Sequence, residues 1–133
     1  MNLAYNGLYK SGAVRKKMTF MNDVEELNLE GNYLSRFPLS MFKHQPYLRD
    51  LKVNSNFLFA LPSDLFDFTA SLLSIDFKNN NLKSLNKQSF INVPKLENVD
   101  FSNNNLEYIC KGLFAYQERT TIFCSKSHFI LAS

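Results

Sequence analysis

From residue 24 onward the apolar positions of this chain follow one spacing, L-x-x-L-x-L-x-x-N-x-L, through four successive units. Val24, Leu27 and Leu29 precede Asn32; Leu48, Leu51 and Val53 precede Asn56; Leu72, Ile75 and Phe77 precede Asn80; Leu96, Val99 and Phe101 precede Asn104. The asparagines stand 24 residues apart. Two residues after each come Leu34, Leu58, Leu82 and Leu106, and five after each come Phe37, Leu61, Leu85 and Ile109. Ten residues after each comes a phenylalanine: Phe42, Phe66, Phe90 and Phe114. Alternation such as Leu27, Asn28, Leu29, Glu30 has the period of a short strand with one buried face. Each unit therefore predicts one strand, and stacked units place their strands about 4.7–4.9 Å apart in a parallel sheet. A self-similar period of this length means a solenoid.

Weaker half-units extend the pattern both ways. Leu3, Asn6 and Leu8 repeat its core with 26 residues to Asn32, and Ile122, Cys124, Ser127 and Phe129 fit the frame if the fourth unit is one residue shorter. The chain thus divides as one solenoid, with a partial repeat over 1–23, full repeats over 24–47, 48–71, 72–95 and 96–118, and a partial repeat over 119–133. It is expected to be an uncapped piece of a longer protein. The asparagines Asn6, Asn32, Asn56, Asn80 and Asn104 are expected to form a structural ladder, because a side-chain amide both donates and accepts. Each would satisfy the backbone of its own turn and that of the next unit. Phe42, Phe66, Phe90 and Phe114 are expected to stack as a core column under the convex side rather than as a ligand cage.

The pattern L-x-x-L-x-L-x-x-N-x-L-x-x-L with a spaced Phe resembles the leucine-rich repeat of the 24-residue kind. Its Phe column and the Leu61-Pro62 pair resemble the repeats of animal Toll-like receptors, Slit-like proteins and secreted insect leucine-rich repeat proteins. That resemblance implies an α/β solenoid, a horseshoe with a parallel concave sheet and loops or short helices on the convex side. It further implies non-catalytic protein recognition in an extracellular or cell-surface ectodomain of the receptor, signalling or innate-immunity type. Such proteins commonly carry cysteine-rich caps, and this sequence departs from them in having no cysteine cluster at either end. An intracellular or cytoplasmic scaffold, a regulatory subunit holding an enzyme, and a fragment without independent function stand as alternatives, the first favoured by the lack of a signal segment.

Composition narrows the choice. The chain has 133 residues, 45% of them hydrophobic, with only four glycines and four prolines, which excludes disordered and collagen-like classes. No window approaches the roughly 18 apolar residues of a membrane span. The two histidines, His44 and His128, fall at different frame positions and read as surface or turn residues. No phosphate loop, His-Glu-x-x-His or nucleophile elbow is present, so neither catalysis, nor a cofactor, nor a metal is expected. Cys110 and Cys124 could pair, but the frame puts Cys124 at a buried strand position and Cys110 on the far side of its unit, which favours free thiols. No asparagine stands in a glycosylation sequon.

Charge then points to a face. The chain carries a net +3, yet on the outward strand positions and their flanks seven acids (Glu25, Glu26, Glu30, Asp50, Asp76, Glu97, Asp100) face three bases (Arg49, Lys52, Lys78). The positive excess lies elsewhere, with Arg15, Lys16 and Lys17 as its one run. A basic stripe with interleaved aromatics is missing from that face, which argues against nucleic acid. A protein ligand, basic in character, is the expected partner, held by Glu26, Asn28, Glu30, Asp50, Lys52, Asp76, Lys78 and Asp100. Lys52 and Asp76 are expected to pair across strands. Asp76 beside Asp100 raises the idea of a cation site, for which two carboxylates are too few ligands. Reversing Asp76 and Asp100 to Lys is expected to leave the fold intact.

Overall fold

The computed structural model describes residues 1–110, 112–117, 120–123 and 130–132. In chain order it contains helix α1 (Ser11–Met18), strands β1 (Glu26–Asn28), β2 (Asp50–Lys52), β3 (Ser74–Asp76), β4 (Asn98–Asp100), β5 (Tyr108–Cys110), β6 (Thr121–Phe123) and β7 (Ile130–Ala132), and a single 3₁₀ turn at Lys87–Phe90. Strands β1, β2, β3, β4 and β6 form one parallel sheet in that order. Their central residues Leu27, Leu51, Ile75, Val99 and Ile122 are in register. The last step, Val99 to Ile122, is one residue shorter than the others, as the sequence frame requires. At the other edge Asn2 bridges Asn28, in line with the 26-residue spacing of the first half-unit.

Strands β1–β4 are only three residues long because a tight turn follows each of them at once. The residue before every ladder asparagine is left-handed: Tyr5, Gly31, Ser55, Asn79 and Asn103 have φ between 55° and 65°. In that conformation the N–H groups of the first four reach the following unit: Tyr5 N to Glu30 O (2.8 Å), Gly31 N to Asn54 O (3.1 Å), Ser55 N to Lys78 O (2.9 Å) and Asn79 N to Ser102 O (2.9 Å). The asparagine beside it reaches the other way. Asn80 Oδ1 accepts from Leu58 N (2.9 Å), while its Nδ2 donates to Val53 O (3.0 Å) and to Phe77 O of its own turn (2.9 Å). Asn56 and Asn104 repeat these bonds one unit earlier and later, and Asn32 makes their equivalent to Asn6 N, Leu8 N and Leu3 O. The ladder therefore ties each unit to the one before it, not to the next as the sequence suggested. Asn6 is no rung. Its side chain is exposed and donates only to Ala4 O, because no described unit precedes it.

The inner side of the sheet and the return segments share one core, in which Leu29, Leu34, Leu48, Val53, Leu58, Leu72 and Leu82 are fully buried. Phe42, Phe66 and Phe90 are buried in a column with ring centroids 6.3 and 5.7 Å apart, and Phe77 and Phe101 join it from the strand side. Phe114 continues the column 5.0 Å from Phe90 but is only partly buried, at its end. Ile122 keeps the core register yet is 39% exposed, as the last strand of the sheet.

The first return segment differs from the others by forming α1. Val14 and Met18, at i and i+4, bury one side of that helix, and Arg15, Lys16 and Lys17 sit in its last turn, where cations complement the helix dipole. A second parallel pair, β5 with β7, was not legible in the sequence. Cys124, Ser127, His128 and Phe129 lie outside the described residues, so the choice between a Cys110–Cys124 disulfide and free thiols falls there too.

Ladder and column set the stability. Phe90→Ala is expected to cost about 3–5 kcal/mol as an internal cavity. Asn80→Ala leaves the Leu58 N–H without its partner and takes one of two donors from Val53 O and Phe77 O, which keep Asn56 and Asn104, and is expected to cost about 1–3 kcal/mol, whereas Asn6→Ala should stay within about 0.5 kcal/mol. Urea titrations of the three variants check this ranking, and an Asn6→Ala loss equal to that of Asn80→Ala would contradict it.

Candidate functional site

The solvent side of the sheet is built from two columns that follow from strand alternation. With Leu27, Leu51, Ile75 and Val99 pointing inward, Glu26, Asp50, Ser74 and Asn98 form one outward column and Asn28, Lys52, Asp76 and Asp100 the other. Just past the strands Glu30, Asn54, Lys78 and Ser102 form a third. Acids thus run diagonally, from Glu26 and Asp50 in the first column to Asp76 and Asp100 in the second. All eight residues expected to hold a partner are exposed or half-buried on this side. Glu26, Asp50, Lys52 and Asp76 line a groove of about 500 Å³ whose far end is closed by Met1 and Asn2.

One expectation about these carboxylates needs correcting. Lys52 and Asp76 are neighbours in register but form no ion pair; the cation acting on Asp76 is Lys78, and the ion pair seen among the described residues is the exposed Arg49–Glu25 contact at 3.8 Å. Reversal of Asp76 and Asp100 to Lys would also remove a turn contact at each position, besides the charge. Asp76 Oδ1 accepts the N–H of Lys78 (2.9 Å) and Asp100 Oδ1 that of Ser102 (2.8 Å), closing the turn after each strand. Asn28 does the same for Glu30 N at 3.0 Å. A neutral oxygen therefore suffices for the turn, and the negative charge at 76 and 100 is an addition to it. Asp76 holds its proton more tightly than an ordinary carboxyl, first because burial penalises its charge and then because Asp100 lies beside it, with the Lys78 N–H opposing both. No group of three His, Cys, Asp or Glu side chains converges among the described residues.

The sequence reading missed an aromatic ladder on the flank next to this face. Tyr9, Tyr33 and Phe57 stack with centroids 4.7 and 6.1 Å apart and planes within 10°, although they are 70, 48 and 51% exposed. Their spacing comes from the backbone: Tyr33 N donates to Leu8 O and Phe57 N to Leu34 O, each at 2.8 Å, and Asn81 and Asn105 continue the same bonds with amide side chains in place of rings. Phe59 lies two residues on, 49% exposed. Tyr5 connects flank and face, its hydroxyl donating to Glu30 Oε1 (2.8 Å), which is the main reason its phenol pKa is raised. The signal available in sequence was an aromatic one residue after Asn32 and Asn56, a recurrence too short to stand out. Tyr33 stacks on a ring at either side, so it presents its edge and hydroxyl, while Tyr9 and Phe57 each stack on one ring only. Ring edges carry the positive end of the quadrupole and suit apolar groups and carbonyl oxygens.

The two roles of Asp76 separate by substitution. A carboxyl with a raised folded pKa binds its proton more tightly folded than unfolded, so it favours folding at low pH and loses that contribution as pH rises above its ordinary value of 3.8. Asp76→Asn keeps the turn oxygen and removes the charge. It is expected to melt higher than the parent at pH 7, with the difference vanishing near about pH 3. A lower melting temperature at pH 7 would show that the charge stabilises the fold.

Comparison with known proteins agrees with this architecture. Residues 46–106 match a family model described as leucine rich repeat. No curated protein sequence matches the chain. Among solved structures, a chain of the Toll–Spatzle complex of Drosophila is 22% identical with a TM-score of 0.73, covering 87% of this chain and 15% of that one. The leucine-rich repeat domain of APL1B is 20% identical with a TM-score of 0.75, covering 92% of this chain and 38% of that one. A chain of the LRIM1/APL1C complex is 20% identical with a TM-score of 0.69, over 82% of this chain and 24% of that one. This chain spans well under half the length of each, and at such identities the likeness is one of fold. Among the described residues no helix is long and apolar enough to cross a membrane. With residues 46–106 matched in sequence and its parallel sheet in register, the chain carries leucine-rich repeats and folds as a leucine-rich repeat solenoid, an architecture that supports a protein-interaction module.

Proposed function

We propose that this chain is a non-catalytic recognition module that binds a protein ligand on its concave face, as part of a longer leucine-rich repeat ectodomain of receptor or secreted type. The observation that carries this reading is the acidic diagonal of Glu26, Asp50 and Asp76 along one groove, continued by Asp100 on the next strand, beside a shelf of half-exposed aromatics. The charges at Asp76 and Asp100 exceed what the turns need, as Asn28 demonstrates, and that excess suits recognition. A basic protein surface complements the diagonal and would be steered to it. The aromatic flank supplies anchors of the type that dominate binding energy. The outward strand columns carry no basic stripe, which disfavours nucleic acid as the ligand. The similar folds of Toll with Spatzle and of LRIM1 with APL1C occur in complexes with other proteins, in keeping with an extracellular, immune-type role in signalling.

The test replaces Glu26 by Gln and Asp50, Asp76 and Asp100 by Asn, preserving side-chain shape and the turn oxygens. Parent and quadruple variant are immobilised and exposed to secreted and cell-surface proteins. A protein retained by the parent should be lost by the variant, and its association with the parent should slow as ionic strength rises from about 0.05 to about 0.5 M. Equal retention by both chains would remove the concave face as the binding site.

A further inference from the structure

On the opposite side of the solenoid, helix α1 and the turn around Leu39–Gln45 enclose a cleft of about 400 Å³. Arg15, Lys43 and His44 rim it, and buried Met18 and Met41 form its floor. Lys16 and Lys17 extend the positive charge along α1. Among the described residues none of Arg15, Lys16, Lys17 and Lys43 forms an ion pair. The carboxylate near this wall is occupied: Asp64 Oδ2 accepts both the N–H and the hydroxyl of Ser40, at 2.9 and 3.0 Å. Carbonyls at the end of α1 would ordinarily repel an anion, but the two that belong to residues of the cleft wall are partnered: Arg15 O accepts from Thr19 N and Oγ1, and Gln45, itself buried, donates Nε2 to Met18 O (3.0 Å) and also to Met21 O (2.8 Å). The cleft therefore presents a cationic rim.

Two apolar side chains stand beside that rim in water. Phe20, directly after Thr19 of the cleft wall, is 83% exposed, and Leu39, in the wall itself, is 68% exposed. A soluble phosphate or sulfate has no use for them. An anionic bilayer does, because its headgroup phosphates meet the cations while Phe20 and Leu39 enter the apolar layer beneath. We propose that the cleft between α1 and Leu39–Gln45 is a docking site for the phosphate headgroups of an anionic membrane surface. The contact is peripheral and independent of the concave face, so both can be occupied together.

The experiment is cosedimentation of the full chain with vesicles of phosphatidylcholine alone or mixed with phosphatidylserine, with inorganic phosphate as a soluble competitor. The parent should bind the mixed vesicles, release them as salt is raised, and ignore the neutral ones. The exposed double variant Arg15→Gln, Lys43→Gln should bind about 30-fold more weakly, at the usual contribution of one basic side chain near such a surface. Phe20→Ser should weaken binding without changing its salt dependence. Failure to bind mixed vesicles would overturn the proposal, as would binding that the double variant leaves unchanged. Calorimetric binding of inorganic phosphate without vesicle binding would overturn the lipid assignment.

Discussion

The structure depends on a backbone problem that every unit must solve. A strand of three residues has too few ladder bonds to hold itself, and the turn after it buries peptide groups that no strand can satisfy. Two side-by-side residues solve both needs. The left-handed residue sends its N–H forward to the next unit, and the asparagine after it reaches back to the unit before with both ends of its amide. A shift of one residue in the strand or turn would move Asn80 Oδ1 away from Leu58 N and Phe77 off the core face together. The strand-and-turn segment therefore tolerates no change in length. The departures from 24 residues, 26 before Asn32 and 23 between Val99 and Ile122, are absorbed in the return segments, and α1 is what the longer first return becomes.

That same constraint decides what the sequence could tell. Leu27, Leu51, Ile75 and Val99 had to recur because they share one buried column, and the phenylalanines had to recur because each needs its neighbour's ring, so register and core were legible. The left-handed column was not. Gly31, Asn79 and Asn103 share only tolerance of positive φ, and Ser55 and Tyr5 lack even that. Tyr5 lies instead where its ring covers Gly31, so closely that a Cβ built there would stand 2.2 Å from Tyr5 Cε1. The direction of the asparagine bonds was hidden for another reason, since composition cannot say which neighbour an amide reaches. Asp76 and Asp100 looked like surface charge alone because capping and charge use one carboxylate. The aromatic ladder broke off after Phe57, and a column occupied by Tyr, Phe, Asn and Asn has no hydrophobic signature.

The face and the ladder also differ in what they permit. Ladder and core positions are fixed by contacts to both neighbours, whereas the outward columns touch solvent and carry different residues in each unit. Where the fold needs an oxygen at the end of the strand, Asn28 supplies it without charge, and Lys52 shows that the position can do without it. Asp76 instead keeps a charge that burial and Asp100 both oppose. Asn28 closes the equivalent turn without charge, so the charge at Asp76 is an addition that the turn does not require.

Separation of the two kinds of position lets opposite surfaces acquire opposite character. The concave side gathers Glu26, Glu30, Asp50, Asp76 and Asp100, while the convex side near α1 gathers Arg15, Lys16, Lys17 and Lys43. Between them lies the fully buried phenylalanine core, which is too apolar to relay a charge and too closely packed to rearrange. Occupation of one side should therefore alter the other only through the long-range field, which salt at physiological strength screens within about 8 Å. Under the two proposals the solenoid would hold two independent faces, and its period, not a moving part, would fix how far apart they stand.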